Sequence, residues 1–269
     1  MNNELHDLLQ FALRMARAAE AEILPRYRNC AISLKADGSE VTEADKRAEQ
    51  VIREMLAREL PEHDILGEEY GVETNAGGQW RWLIDPIDGT ASFTMGVPLF
   101  GTLIALLQNN DPVLGVIHAP ALRETYYATR GGGSWMVSDN GDPVRLHVRE
   151  AAPLNAATIT ATGAHNSDIN PAVDKSNFTL TPVIRAARKF RFGGDCLQYG
   201  LVARGSIHAG IDTAMNPWDI AALVPCVEEA GGVITTLHGA RDNIVFGGSI
   251  LASCDAALHQ EILALIKPL

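Results

Sequence analysis

Apolar residues return every three or four positions near the start of the chain: Leu5, Leu8, Leu9, Ala12, Met15, Ala16, Ala19 and Ile23. That spacing predicts an amphipathic helix over 4–27, with Pro25 near its end. A second stripe, Ala48, Val51, Ile52 and Met55, predicts a helix over 41–60, capped by Thr42 and stopped by Pro61. From Ile65 the period shortens. DILGEEY, RWLID, FGTLIALLQ, PVLGVIHAP and TYYAT are apolar runs of strand length between Gly, Pro and Asn turns. LQNNDPVLG predicts a hairpin turning at Asn109, Asn110 and Asp111, and TRGGGSW a flexible turn.

The second half has longer helical stretches. ATITAT, IHAGID and GSILAS read as strands. The end of PAVDKSNFTLTPVIRAARK, then CLQYGLVARG, PWDIAALVPCVEEAGG and the last dozen residues read as helices. No repeat, low-complexity stretch or linker interrupts the pattern. Helices and strands in alternating blocks imply a layered α+β (mixed α/β) fold, with a subdomain boundary near residue 150, hence 1–150 and 151–269.

Composition narrows the function. The 269 residues are 46% hydrophobic and 20% charged, ample for a sizeable core. A net charge of −11 argues against a nucleic-acid partner. It also disfavours anionic substrates, unless bound cations invert the local field. Cys30, Cys196, Cys226 and Cys254 are far apart, which suggests neither a zinc site nor a disulfide framework. Reduced thiols, no signal-peptide pattern and no apolar run of spanning length point to a cytoplasmic protein away from membranes.

The chemistry concentrates in WLIDPIDGT, residues 82–90. An apolar strand stops at Asp85, and Pro86 biases that aspartate toward an extended backbone while lacking an N–H for the ladder. Asp88 returns within reach, the Ile87 carbonyl is free to point the same way, and Gly89 permits close approach of a ligand. Two carboxylates and a carbonyl make a hard, all-oxygen environment suited to Mg²⁺ or Mn²⁺. Each acidic group also has an ordinary structural reading. D-x-x-D-G alone reads as a turn, Glu68 and Glu69 in GEEYG as a solvated turn, and Asp219 in PWDIAAL as a helix-start residue. Asp45 in VTEAD reads as the partner of Thr42 in a capping box.

In this order, GEE, WLIDPIDGT, and WD followed by AGG resemble the inositol monophosphatase family. The resemblance runs from KADGSEVTEAD to GGSILAS. It implies an α-β-α-β-α sandwich of the metal-dependent sugar phosphatase type, a phosphate-monoester substrate and a homodimer. It also implies two or three Mg²⁺ per site, or Mn²⁺ in their place. Glu68, Asp85 and the Ile87 carbonyl would hold the first metal, and Asp85, Asp88 and Asp219 the second. Asp45 and Thr90 would orient the attacking water, with Glu68 touching a third, weaker metal. Gly89 and Thr90 would offer backbone N–H groups to the phosphate. Lys35 matches a lysine near the family's site, with Glu69 a further candidate beside Glu68.

Two further stretches, GVPLFGTLIALL and GGDCLQYGLVARGSIHAGID…NPWDIAALVP, resemble the family's histidinol-phosphate phosphatase branch of histidine synthesis. Asp195 and Asp212 match positions that contact the non-phosphate part of the substrate; Asp195 alternatively caps the helix of CLQYGLVARG. The chain departs from the branch at Trp218, where a tyrosine is usual, and in VIHAPALRETYYAT. An inositol or broad sugar monophosphatase is the alternative, and a non-catalytic binding protein of the same fold a third. No histidine has metal-ligand spacing: His118 and His208 read as core or edge residues, and His165 stands in a loop that can line a site.

Overall fold

The computed structural model describes residues 3–36, 38–75, 78–139, 141–173 and 177–269. Asp37, in the stretch quoted around Lys35, lies outside them. Helices α1 (Asn3–Ile23) and α2 (Glu43–Glu59) flank a small hairpin of β1 (Ile32–Leu34) and β2 (Glu40–Thr42). The first sheet takes β3 (Asp64–Gly67), β4 (Gly71–Glu73), β5 (Trp80–Asp88), β6 (Gly101–Gln108), β7 (Asp111–Ala119), β8 (Glu124–Thr129), β9 (Gly133–Ser138) and β10 (Val144–Arg145). Its order is β10-β9-β8-β7-β6-β5-β3-β4, with β3 and β5 parallel and the other pairs antiparallel. The short α3 (Thr90–Thr94) joins β5 to β6.

A second sheet holds β11 (Thr158–Ala161), β12 (Lys189–Phe192), β13 (Ala209–Asp212), β14 (Val233–Thr235) and β15 (Ile250–Ser253), in the order β12-β11-β13-β15-β14. Around it lie α4 (Thr181–Ala186), α5 (Leu197–Ala203), α6 (Pro217–Ala221), α7 (Leu223–Glu228) and α8 (Ala256–Leu265). The chain passes between the sheets over residues 146–157.

Three cores glue five layers together, α-β-α-β-α. Met15, Ala19, Ile52, Trp82 and Ile84 fill the space between the α1–α2 pair and the first sheet. Leu83, Leu103 and Ile117 point through the other face onto Tyr199, Val224, Val227 and the second sheet's Ile250. Val183, Leu258 and Ile262 cover the far side of the second sheet at Ile159 and Leu251. Alternate residues of β5 and β6 therefore enter different cores, which is why both strands read as unbroken apolar runs.

Some boundaries move. Residues 217–232 form two helices, because Pro225 has no N–H for the Ala221 carbonyl and its ring crowds that turn. The first helix ends at Ile23, and Leu24–Arg26 tightens into a 3₁₀ turn around Pro25. DILGEEY is strand only to Gly67. The hairpin turns at Asn109 and Asn110, both with positive φ, the geometry two-residue hairpins favour.

His259 gives the second sheet a pH-sensitive tie. It is fully buried, with Nδ1 2.8 Å from Ser253 Oγ and Nε2 2.8 Å from Thr235 Oγ1. Burial pushes its pKa down to about 4. An unfolded histidine titrates near 6.5, so its neutral burial stabilises fully above that pH and the benefit disappears as pH falls toward 4. Denaturant titrations at pH 7 and pH 5 should show a falling stability, this residue accounting for up to about 2 kcal/mol between those two pH values. His259→Gln should flatten that part of the slope; an unchanged slope would remove the assignment.

Candidate active site

Pro86 does not end β5. The strand runs on to Asp88 through a bulge: Asp85 pairs with Leu103 and Asp88 with Gly101, so β5 carries one extra residue. Thr102 Oγ1 donates to the Pro86 carbonyl at 2.8 Å, and Ile87 N donates to Asp85 Oδ1 at 3.0 Å. The bulge brings both aspartates to one place. Gly89 follows at φ 84°, and a Cβ there would lie 2.9 Å from the Leu99 carbonyl and 3.0 Å from Asp195 Oδ2. Only glycine fits that turn into α3.

Asp219 arrives from the other half of the chain. It is the third residue of α6, where Asn216 N donates to its Oδ2 at 2.7 Å in a capping box. Asp85, Asp88 and Asp219 each present an oxygen, and these lie within 4.8 Å of one another. Burial, then the charges of Glu68, Asp88 and Asp219, raises the Asp85 pKa well above the usual carboxylate range. Burial and the charges of Asp195 and Asp219 do the same at Asp88, and Asp219 is pushed up to about 7, chiefly by burial. Carboxylates crowded this way repel one another unless a cation joins them. The residues fit a hard metal ion: the donors are all oxygen, and their mutual repulsion is what such an ion relieves.

Glu68 sits beside this cluster. Its backbone N–H bonds the Ile84 carbonyl, and Lys35 Nζ reaches its Oε1 at 2.8 Å and Glu69 Oε1 at 2.7 Å. Burial alone would lower the Lys35 pKa; the bonds to Glu68 and Glu69 outweigh it and raise it. Lys35 thus pairs with both acids, and burial raises the pKa of Glu69.

Asp45 caps α2 with one oxygen and leaves the other unpartnered. Thr42 N and Thr42 Oγ1 donate to its Oδ2 at 2.8 and 2.6 Å, completing the capping box. Its Oδ1 is buried with no hydrogen-bond partner. Burial raises its pKa, and the Glu68 charge adds to that. The capping role thus leaves one buried oxygen available. The hydroxyl against Asp45 is Thr42, since the N-cap must bond that carboxylate; Thr90 Oγ1 donates to the Ile87 carbonyl at 3.1 Å.

Asp195 is not a helix cap. It has φ 41°, α5 is entered at Cys196 without a side-chain capping bond, and a capping residue needs extended backbone. Ser92 Oγ donates to Asp195 Oδ2 at 3.0 Å, tying it to α3, while Cys196 N donates to Asp88 Oδ2. Asp212 lies deeper, only 8% exposed. Gln198 Nε2 and Tyr199 OH donate to its Oδ2 at 2.6 and 2.8 Å. His165 is exposed; His118 and His208 are buried, bonded to Thr125 and Glu20 and to Thr158 N respectively.

Glu49 belongs to no motif visible in the sequence. It is fully buried, and its carboxylate accepts from Glu69 N at 2.7 Å, Tyr70 N at 3.2 Å and Arg53 Nε at 2.8 Å. Gly67 has no room for a Cβ, which would fall 2.0 Å from Glu49 Oε1. The signal was the helical spacing Asp45, Glu49, Ile52, Leu56, which puts a second acid on the inward face of α2.

The family model for the inositol monophosphatase family matches residues 4–268. The chain belongs to the inositol monophosphatase family. It is 37% identical to a histidinol-phosphatase of Mycobacterium tuberculosis, over 96% of this chain and 97% of that protein. It is 39% identical to a histidinol-phosphatase of Chlorobaculum parvum, over 96% of each. Its fold is similar to that of an inositol monophosphatase from Zymomonas mobilis, with a TM-score of 0.80, 32% identity and 97% of each chain covered. The protein is a phosphatase of this family, with the layered architecture its solved structures share. Among the described residues, no helix is long and apolar enough to cross a membrane.

Proposed function

We propose that this member of the family is a Mg²⁺-dependent histidinol-phosphate phosphatase. The observation that carries the chemistry is the trio Asp85, Asp88 and Asp219, three carboxylates converging from two halves of the chain. Glu68, Asp85, the Ile87 carbonyl, Asp88 and Asp219 would hold the metal. Bound there, Mg²⁺ supplies the positive charge that lowers the pKa of a water and steadies a departing oxygen. Gly89 and Thr90 offer backbone N–H groups to the phosphate. Asp45 Oδ1, the buried oxygen without a partner, takes a hydrogen bond from the attacking water, and Thr90 Oγ1 helps to orient it. Lys35 offsets the charge of Glu68 and Glu69 as the anionic ester enters. Homodimerisation and Mn²⁺ as a substitute remain part of the same reading.

Asp195 supports the substrate. It adjoins the Gly89 turn and is partly exposed, so a substrate ammonium beside the phosphate meets a carboxylate there. The similarity to two histidinol-phosphatases favours the same ester. The test is phosphate release from histidinol phosphate, inositol 1-phosphate, fructose 1,6-bisphosphate and a nucleotide bisphosphate. Histidinol phosphate should have the highest kcat/KM; a higher value for inositol 1-phosphate would move the assignment to the inositol or sugar monophosphatases.

Asp45→Asn separates its two roles. A capping residue alone is worth about 1 kcal/mol of stability, with turnover intact. A group that orients or deprotonates water is worth roughly 10²-fold or more in rate. We expect the second result together with a small stability loss. Unchanged kcat at saturating Mg²⁺ would leave Asp45 with the cap only.

A further inference from the structure

Ser92 is the third residue of the short helix α3. A helical serine commonly turns its hydroxyl onto the carbonyl one turn back. Ser92 instead reaches across the molecule: its Oγ donates to Asp195 Oδ2 at 3.0 Å, a partner 103 positions further along the chain. Asp195 is partly exposed, and its backbone is held from the next residue, where Cys196 N donates to Asp88 Oδ2. Its side chain still has two bonds to rotate about. Among the described residues, Ser92 is the one hydrogen-bond donor to that carboxylate. The bond therefore selects the rotamer. Oδ2 is turned onto the Gly89 turn, where a Cβ would lie 3.0 Å from it, and Oδ1 accepts no hydrogen bond among the described residues.

The mount of Ser92 is rigid. Five residues are too few for a helix to stand alone, so α3 owes its place to its neighbours. Phe93 is fully buried, with its ring 5.1 Å from that of Phe100 and 5.6 Å from that of Tyr27. Thr94 Oγ1 donates to Glu40 Oε2 at 2.6 Å, and Tyr27 OH donates to the Gly96 carbonyl at 2.6 Å. A side chain locked this way by packing and hydrogen bonds can hold a second group in a defined direction.

We infer that Ser92 is a positioning residue for substrate selection, whose hydroxyl holds Oδ2 of Asp195 against the Gly89 turn and so offers Oδ1 to the ester's ammonium. The inference rests on the histidinol-phosphate reading and deepens it. Asp195 supplies the charge, and Ser92 fixes the direction in which that charge is presented.

The experiment measures kcat and KM at saturating Mg²⁺ for histidinol phosphate and for a neutral-headed ester, inositol 1-phosphate. The proteins are wild type, Ser92→Ala, Ser92→Thr, Asp195→Asn and the double variant Ser92→Ala with Asp195→Asn, each normalised to folded enzyme. Ser92→Ala should raise the KM of histidinol phosphate about tenfold, the scale of one hydrogen bond to a charged group, with kcat and the inositol 1-phosphate constants little changed. Ser92→Thr keeps a hydroxyl and should retain most of the preference. In the Asp195→Asn background, Ser92→Ala should add no further loss, since both changes break one contact. Ser92→Cys is nearly the same size with a weak donor, and keeps the test open if alanine unseats α3. Equal losses on both esters would make Ser92 a support of α3 and overturn the inference. So would the same loss with and without the Asp195 carboxylate, or a histidinol-phosphate KM that Asp195→Asn raises and Ser92→Ala leaves alone. A wild type without preference for histidinol phosphate, or an Asp195→Asn enzyme that keeps the preference, would overturn the histidinol-phosphate reading and this inference with it.

Discussion

Asp85→Asn should abolish turnover and, in metal-free buffer, raise the melting temperature. The two effects have one cause. Asp85 is 2% exposed and faces Glu68, Asp88 and Asp219, so its negative charge destabilises the protein when no cation offsets it. Asparagine keeps an Oδ1 for the Ile87 N–H and fits the same space. It removes a repulsive charge while breaking little. The same charge would be indispensable to a metal ion held by Asp85, Asp88 and Asp219. Activity should fall by at least about 10³-fold, the upper end for losing one preorganised electrostatic group. Calorimetry should show weakened Mg²⁺ binding in the same variant. A variant that is both less stable without metal and nearly fully active would mean that Asp85 serves the bulge and not a cation.

Asp195→Asn should discriminate between substrates. An ammonium facing this carboxylate makes a charge-assisted hydrogen bond worth roughly 1.5–3 kcal/mol. At about 1.36 kcal/mol per factor of ten, that is about 10- to 150-fold in kcat/KM on histidinol phosphate. The loss should fall mainly on KM, because the contact is the same in ground and transition states. Asparagine still accepts from Ser92 Oγ, so α3 stays tied and neutral-headed esters should lose little. The Mg²⁺ concentration for half activity should not move. Equal losses on charged and neutral esters would show that Asp195 supports the loop and does not read an amine.

What the sequence disclosed follows from how local each feature is. The meeting of Asp85 and Asp88 was legible because one nine-residue stretch holds both at a spacing of three; that β5 runs on past Pro86 through a bulge was not, because proline is a stop signal in a ladder. The long layers were legible because α1, α2, β5, β6 and β7 are each defined by their own apolar period. The split between α6 and α7 is marked in the sequence by Pro225 alone, inside an otherwise continuous apolar stripe. Asp195 was open to a capping reading because nothing local announces a left-handed backbone at an aspartate; two preceding glycines are the only hint. Glu49, Gln198 and Tyr199 were silent for a different reason. Their partners are backbone N–H groups, threonines and an aspartate distant in sequence, and only the packed layers bring these together. Lys35 was visible as a candidate, but its pairing with both Glu68 and Glu69 required the β1–β2 hairpin, two strands of three residues whose apolar pattern is too short to read.

If the acidic cluster is a metal centre for phosphate-ester hydrolysis, activity depends on the metal. The most direct measurement is phosphate release from histidinol phosphate by protein stripped with a chelator and verified metal-free, before and after Mg²⁺ is returned. Turnover should be absent without metal and recover fully on titration with Mg²⁺. Undiminished turnover by the verified metal-free protein would contradict it.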